Sequence, residues 1–435
     1  MSTPEPLAAE LEQLIRKEQR DKRLPSITVA VMRDGELAWE TAVGAADAEA
    51  GRETTPDTQY RLGSITKTFT AAAVLQLRDE GGLDLEDSLD KHVKGAKHAP
   101  TIRRLLSHTS GLQRETHDDA WLQKRFAGVD ELLDTLDRAE GVLPPGARFH
   151  YSNLAFALLG ILVERVSGIP YREYVETKLF QPLGLEHTTF EPQDGAATGY
   201  LVQPYVEGVW TEAPVGSGAW IAAGHVWGTV RDLARWAAFL ADPDDDAVLR
   251  RETVEEMRTV QSLDDHVRWT AGYGLGLQLI RDGERILAGH GGSMPGFIAG
   301  VYVSPADKIG AAALTNSSGA RLVALLQKVI ATTVGKWPVP PKPWQVEDAP
   351  PDDVVPLLGI WFMEGDQIVF KWRDGHLEAQ FPDAADWELP AVFRRETDDR
   401  WRIVSGFEHG EVLRIEAERM VLAGYPVTRE PTVWV

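Results

Sequence analysis

Strand-forming sequence in the first 340 residues lies at two places far apart in the chain, and that separation is the strongest constraint on the fold. Near the start, SITVAVMRDGELAWETAVG places two β-rich runs around Asp34-Gly35, a pair that favours a tight hairpin turn. The next comparable runs are ERILAGHGG (284–292), FIAGVYVSP (297–305) and IGAAALTNS (309–317), followed by a helix over 321–334. One sheet must therefore be built from both ends of this region. The expectation is an α+β fold, with an antiparallel sheet flanked by helices and an all-helical region inserted between its two contributions. An amphipathic helix precedes the hairpin.

A chain of 435 residues exceeds what one hydrophobic core usually organises. The break falls at KWPVPPKPWQVEDAPPD (336–352), rich in proline and polar groups. Beyond it, turns at Glu364-Gly365, Asp374-Gly375 and His409-Gly410 separate alternating runs such as QIVFKW, HLEAQF and VLRIEA. The division expected is 1–338, a linker over 339–352, and a small antiparallel β-barrel or meander over 353–435.

Composition removes several function classes. With 45 Lys plus Arg against 66 Asp plus Glu, the formal net charge of −21 repels phosphate backbones and anionic membranes, so neither nucleic acid nor membrane is expected as a partner. There is no cysteine, which excludes disulfides, thiolate metal sites and a cysteine nucleophile. Asp244, Asp245 and Asp246 read as a solvated loop, and the eleven histidines include no H-E-x-x-H pair, so no metal or other cofactor is expected. The N-terminal stretch lacks the apolar core of a secretory signal, and the apolar run 154–163 is too short to cross a bilayer. A soluble cytoplasmic protein is the expectation.

The chemistry starts at RLGSITKTFTAAAVLQLRDEGG (61–82), where Ser64 stands three residues before Lys67 at the start of a helix that Gly81-Gly82 ends. Residues i and i+3 share a helix face, which brings hydroxyl and amine together. At a helix N-terminus the first N–H groups lack internal partners, so the Ser64 N–H can receive an oxyanion. The same field, with burial, favours a neutral Lys67 able to accept a proton. The spacing also occurs at Ser88 and Lys91, in LDLEDSLDKH, which reads as a surface turn.

Two further clusters stand out. Tyr151 and Asn153, in FHYSNLAFALLG, enter an apolar helix two residues apart, with Asn153 also fitting a helix N-cap. GHGGSMPGF (289–297) sets His290 before Gly291, Gly292 and Ser293, a pattern that suits either a turn or a backbone oxyanion site. Trp220 and Trp227 flank a glycine-containing stretch and fit either the core or a cleft wall.

In this order, Ser64-x-x-Lys67, Tyr151-Ser-Asn153 and His290-Gly-Gly292 resemble the motifs of the serine hydrolases that include penicillin-binding proteins, class C β-lactamases, D-aminopeptidases and related esterases. LLSHTSGL (105–112), QPLGLEHTTF (181–190), AAGHVWGTVRDLARW (222–236) and YGLGL (273–277) extend the likeness over about residues 10–335. The resemblance implies a β-lactamase-like fold and catalytic roles for Ser64 (nucleophile), Lys67 (its proton partner), Tyr151 (general base, then proton donor) and His290. Asn153, Gly292 and Ser293 would hold the substrate, with the N–H groups of Ser64 and Ser293 as the oxyanion hole. His290 stands where class C β-lactamases carry lysine, a departure closer to the D-aminopeptidase pattern.

The function implied is acyl transfer through a serine ester on small amides or peptides, D-residues included, with His290 meeting a charged or polar end of the ligand. A carboxylesterase, a weak β-lactamase, and a slowly turning over penicillin-binding or sensor protein are the alternatives. An α/β-hydrolase is excluded, since no Gly-x-Ser-x-Gly elbow is present. The C-terminal region, with GIW at 359–361, is similar to lipocalin-like domains attached to some of these hydrolases, where the extra domain covers the cleft or drives homo-oligomerisation.

Overall fold

The computed structural model describes residues 3–94, 100–116, 120–243, 248–338, 344–346, 349–385, 387–416 and 419–431. It divides into two compact units, 1–339 and 340–435. Asp244, Asp245 and Asp246 lie outside the described residues, as does part of the proline-rich segment.

The first unit is built on a nine-stranded antiparallel sheet. Its strands are β1 (Ser26–Arg33), β2 (Glu36–Asp47), β3 (Arg52–Glu53), β4 (Ser262–Leu263), β5 (Ala271–Tyr273), β6 (Gln278–Asp282), β7 (Arg285–Met294), β8 (Phe297–Ser304) and β9 (Ile309–Thr315). The order across the sheet is β3-β2-β1-β9-β8-β7-β6-β5-β4, so β1 from the N-terminal hairpin pairs with β9 from the far end, Val29 opposite Ala313. Asp34 and Gly35 turn the hairpin with φ of 49° and 82°, as a two-residue turn with both φ positive requires.

Every residue of β1 is buried because both faces of the sheet are covered. Ile27, Val29 and Val31 face one layer with α1 (Glu5–Asp21) and the C-terminal helix Leu322–Lys336. Ala30 and Met32, one residue out of phase, join the larger core, which includes α2 (Thr66–Asp79), α3 (Asn153–Ser167) and α4 (Val230–Ala241). Helix α2 buries twelve of its fourteen residues, which fixes it at the centre of the unit. The apolar run at 154–163 is the buried body of α3.

Three sequence expectations change. The insertion is not all-helical: Tyr60–Arg61 pairs with Trp227–Gly228, and Tyr200–Val202 with Val209–Thr211, strands too short to display an alternating pattern. Strand β7 continues past the run read over 284–292, through Ser293 to Met294. Its glycines depress strand propensity in the sequence, yet a methyl at Gly289 would lie 2.0 Å from the Val301 carbonyl oxygen, so close packing demands them. Strands β4 to β6 carry little β-rich sequence and were not foreseen. Ser88 and Lys91, as expected, border a surface 3-10 turn, with Lys91 bonded to Asp87 at 2.6 Å.

The second unit is a closed antiparallel barrel of eight strands, Gly359–Met363, Asp366–Arg373, His376–Gln380, Ala391–Thr397, Arg400–Ser405, Val412–Ile415, Met420–Leu422 and Tyr425–Thr428. Alternate residues such as Ile368 and Phe370, Leu377 and Ala379, and Trp401 and Ile403 fill its interior. Trp361 donates its indole N–H to the Leu357 carbonyl at 2.7 Å, and the Arg429 guanidinium lies 3.8 Å over its ring. Turns at Glu364-Gly365 and Asp374-Gly375 form as read, but His409-Gly410 belongs to a longer loop over 406–411. A further tight turn uses Ala423-Gly424, with φ of 51° and 92°, where alanine gave no turn signal.

A buried amide ties together the N-terminal and far-end contributions to the large sheet. Asn316, just after β9, accepts from the Ser26 N–H at 2.8 Å and donates to the carbonyls of Ala45, Ala46 and Thr198 at 3.0–3.2 Å. Asn316→Ala would remove the acceptor of the buried Ser26 N–H and the donor to these carbonyls, so we expect a loss of about 3 kcal/mol, measured by urea unfolding. A loss below about 1 kcal/mol would contradict the assignment of this network as a principal tie.

Candidate functional site

Ser64 sits in a 3-10 turn, Gly63–Ile65, that leads into α2. Gly63 has φ of 53°, and a methyl there would come within 2.5 Å of the Ser293 nitrogen. One at Gly292 would lie 1.9 Å from the Leu62 carbonyl oxygen and 3.3 Å from the Ser64 nitrogen. Two glycines thus let the turn press directly on β7, which brings the backbone nitrogens of Ser64 and Ser293 into one small region.

Lys67, the second residue of α2, is 0% exposed. Its Nζ lies 3.1 Å from Ser64 Oγ and donates to the Ala223 carbonyl at 2.6 Å, supplied by the short helix Ile221–Gly224. Among the described residues it has no carboxylate partner in a salt bridge. Burial therefore pushes its pKa well below the ordinary lysine value, which favours the neutral amine. A neutral amine keeps a lone pair to accept the hydroxyl proton of Ser64.

Tyr151 lines one cavity with Ser64, and burial raises the phenol pKa, holding it protonated. Lys67 Nζ lies 5.0 Å from the centre of its ring. The N-cap of α3 is Ser152, whose Oγ accepts from Ala155 N at 3.0 Å, and not Asn153. Asn153 is left to direct its amide into the cleft, where its Nδ2 donates to Glu115 Oε1.

His290 departs from expectation. It lies on β7, 1% exposed, with Nδ1 2.5 Å from the Gly291 carbonyl and Nε2 3.1 Å from the Tyr273 hydroxyl. The carbonyl can only accept, so the proton is on Nδ1 and Nε2 accepts from Tyr273. Burial lowers its pKa to about 3. Neutral and with both nitrogens engaged, it is not a cation for a ligand's charged end.

Two cavities meet at Ser64. One of about 490 Å³ is lined by Glu115, Asn153, Phe126, Trp220, Ser293 and Met294, among others. The other, about 730 Å³, includes Tyr151, Gln278, His290, Gly292 and Arg321. Arg114 borders both, its guanidinium 4.9 Å over the Tyr151 ring. Glu115 accepts from Trp220 Nε1 at 2.9 Å as well as from Asn153. Trp220 is thus both buried and a cleft wall, whereas Trp227 packs 5.5 Å from Phe297 away from Ser64.

Sequence reasoning brought Ser64, Lys67, Tyr151, Asn153, Gly292, Ser293 and His290 into consideration, and the structure gathers all seven around these cavities, with Lys67 beneath Ser64. It missed Arg114 and Glu115. Their only signal is position, directly after the LLSHTSGL stretch, and nothing in their local spacing marks them. A hydroxyl beside a buried neutral amine and a phenol, facing two backbone N–H groups, is an arrangement suited to acyl transfer.

Comparison with known proteins agrees with this geometry. Residues 11–332 match the family described as Beta-lactamase, and residues 350–429 match a domain of unknown function. Beta-lactamase-like protein 2 of Dictyostelium discoideum is 28% identical over 59% of this chain and 50% of its own. The chain spans about half to three fifths of the length of the curated relatives it matches. Among solved structures, the octameric penicillin-binding protein homologue from Pyrococcus abyssi is similar at TM-score 0.67 and 25% identity, over 96% of this chain and 99% of that one. The D-stereospecific amidohydrolase from Streptomyces sp. is similar at 0.63 and 28%, over 77% and 99%. With its motifs gathered at one cleft and the match running over residues 11–332, the chain belongs to the β-lactamase family of serine hydrolases.

Proposed function

We propose that the protein forms an acyl-enzyme on Ser64 and hydrolyses small amides or peptides that carry a free amino group beside the scissile carbonyl, with D-residues preferred. The observation that carries the substrate class is the Glu115 carboxylate, which shares a cavity with Ser64 and is oriented by Asn153 and Trp220. A carboxylate held in a partly enclosed site favours an ammonium group over a neutral one. The likeness to a D-stereospecific amidohydrolase supports the stereochemical preference. This ammonium subsite replaces the role first given to His290.

In this reading neutral Lys67 accepts the Ser64 proton as Oγ attacks the carbonyl carbon. The carbonyl oxygen takes up the charge against the N–H groups of Ser64 and Ser293. The Tyr151 phenol gives its proton to the departing amine and regains one from Lys67, whose ammonium form is disfavoured by burial. Water then attacks the ester, passing its proton to the same pair while Ser64 recovers its own. Because burial raises the Tyr151 phenol, the amine of Lys67 is the first proton acceptor and Tyr151 the relay.

The reading is tested with D- and L-aminoacyl amides, their N-acetylated forms and p-nitrophenyl esters. Glu115→Gln is expected to lower the selectivity for free-amine over N-acetylated amides by about tenfold or more; an unchanged ratio, or turnover of esters alone, would overturn the substrate class. For Lys67, a lowered pKa means that the proton-accepting form persists below the ordinary lysine value and is lost only as pH falls through the lowered one. We therefore expect kcat/KM to plateau well below pH 10.5 and to fall on the acid side, and Lys67→Arg, always charged, to lose at least ~100-fold. A plateau reached only near pH 10.5 would contradict a neutral Lys67.

A further inference from the structure

We infer that His108 is a positioning residue for Tyr151, clamping the chain on both sides of it so that the phenol is fixed for proton delivery to the leaving group. The inference rests on the proposed role of Tyr151. The His108 carbonyl accepts from the His150 N–H at 2.7 Å, and its ring Nδ1 accepts from the Ser152 N–H at 3.1 Å. Residues 150 and 152, the two neighbours of Tyr151, are thereby held by one residue. The His108 ring also lies against Tyr151, with 4.2 Å between centres and 36° between planes. On another side it meets Tyr273 at 4.7 Å, the residue that donates to His290. His108 therefore wedges between the tyrosine of one motif and the support of another.

The residue is retained at two costs to folding. Its φ is 54°, in the left-handed region that residues other than glycine occupy uncommonly, histidine more often than most. It is also 0% exposed, and its Nε2 has no hydrogen-bond partner among the described residues. Because Nδ1 accepts, the proton sits on that unpartnered Nε2. Burial keeps the ring neutral, with the Arg114 guanidinium acting in the same direction, so Nδ1 remains an acceptor. A core position with no task beyond packing would be filled more favourably by an apolar residue.

The test uses substrates with one acyl group and two leaving groups. An amide nitrogen must be protonated to depart, whereas p-nitrophenolate leaves without help, so misplacing Tyr151 should penalise the amide selectively. His108→Ala is expected to lower the amide-to-ester rate ratio by about 30-fold or more. In His108→Asn the side-chain oxygen can occupy the place of Nδ1, and asparagine tolerates left-handed φ, so about tenfold of the amide rate should return relative to alanine. Loss of amide and ester rates in equal proportion, or no advantage of asparagine over alanine, would show a merely structural role and overturn the inference. Should the alanine variant not fold, the asparagine variant decides alone: a threefold or greater fall in the same ratio is expected from loss of the ring contact, roughly at the lower limit for a displaced proton donor, and an unchanged ratio overturns it. Absence of Ser64-dependent turnover in the unmodified protein would be a different failure, that of the serine-hydrolase reading itself.

Discussion

The site depends on the burial of one amine. Lys67 is placed at the start of a helix whose other faces are core, so its Nζ has Ser64 Oγ, the Ala223 carbonyl and aromatic rings for neighbours and no carboxylate in a salt bridge among the described residues. An ammonium in such a place is costly, and the cost is relieved by losing a proton. In the proposed mechanism that single fact activates the serine hydroxyl, ordinarily a poor nucleophile, and gives Tyr151 the part of a relay. The same enclosure holds His290 and His225 neutral, so the cleft presents its charges through Arg114 and Glu115 instead.

Burial at this depth is bought by the topology. Strands β1 and β2 come from the N-terminal end and β4 to β9 from the far end, and they close around α2 only because the two contributions meet at the β1–β9 pair. Gly63 and Gly292 then remove the side chains that would separate the Ser64 turn from β7. The long intervening segment supplies the remaining walls: Ala223 beneath Lys67, Asn153 and Tyr151 at the entry to α3, and the Arg114–Glu115 pair at the mouth.

What the sequence revealed follows from how local each signal is. The Asp34-Gly35 hairpin, the assembly of the sheet from both ends, the barrel strands around Glu364-Gly365 and Asp374-Gly375, and the pairing of Ser64 with Lys67 are all encoded within a few residues. The strand through GHGGSM was partly hidden because its glycines answer to backbone atoms of neighbouring strands, a demand that no local pattern displays. His108, Arg114 and Glu115 escaped notice for a related reason. Their significance lies in partners such as Ser152, Asn153 and Trp220, which are distant in sequence. The neutral state of His290 was also beyond reach, since it is decided by burial and by the Tyr273 hydroxyl.

The central claim, that Lys67 is a neutral amine at working pH, is open to direct observation. The measurement is the nitrogen-15 chemical shift of the Lys67 side chain across a pH titration, in protein labelled at lysine, with the resonance assigned by its loss in Lys67→Arg. The account predicts a neutral-amine shift that persists far below the ordinary lysine value of 10.5. An ammonium shift that gives way only near that value would contradict it.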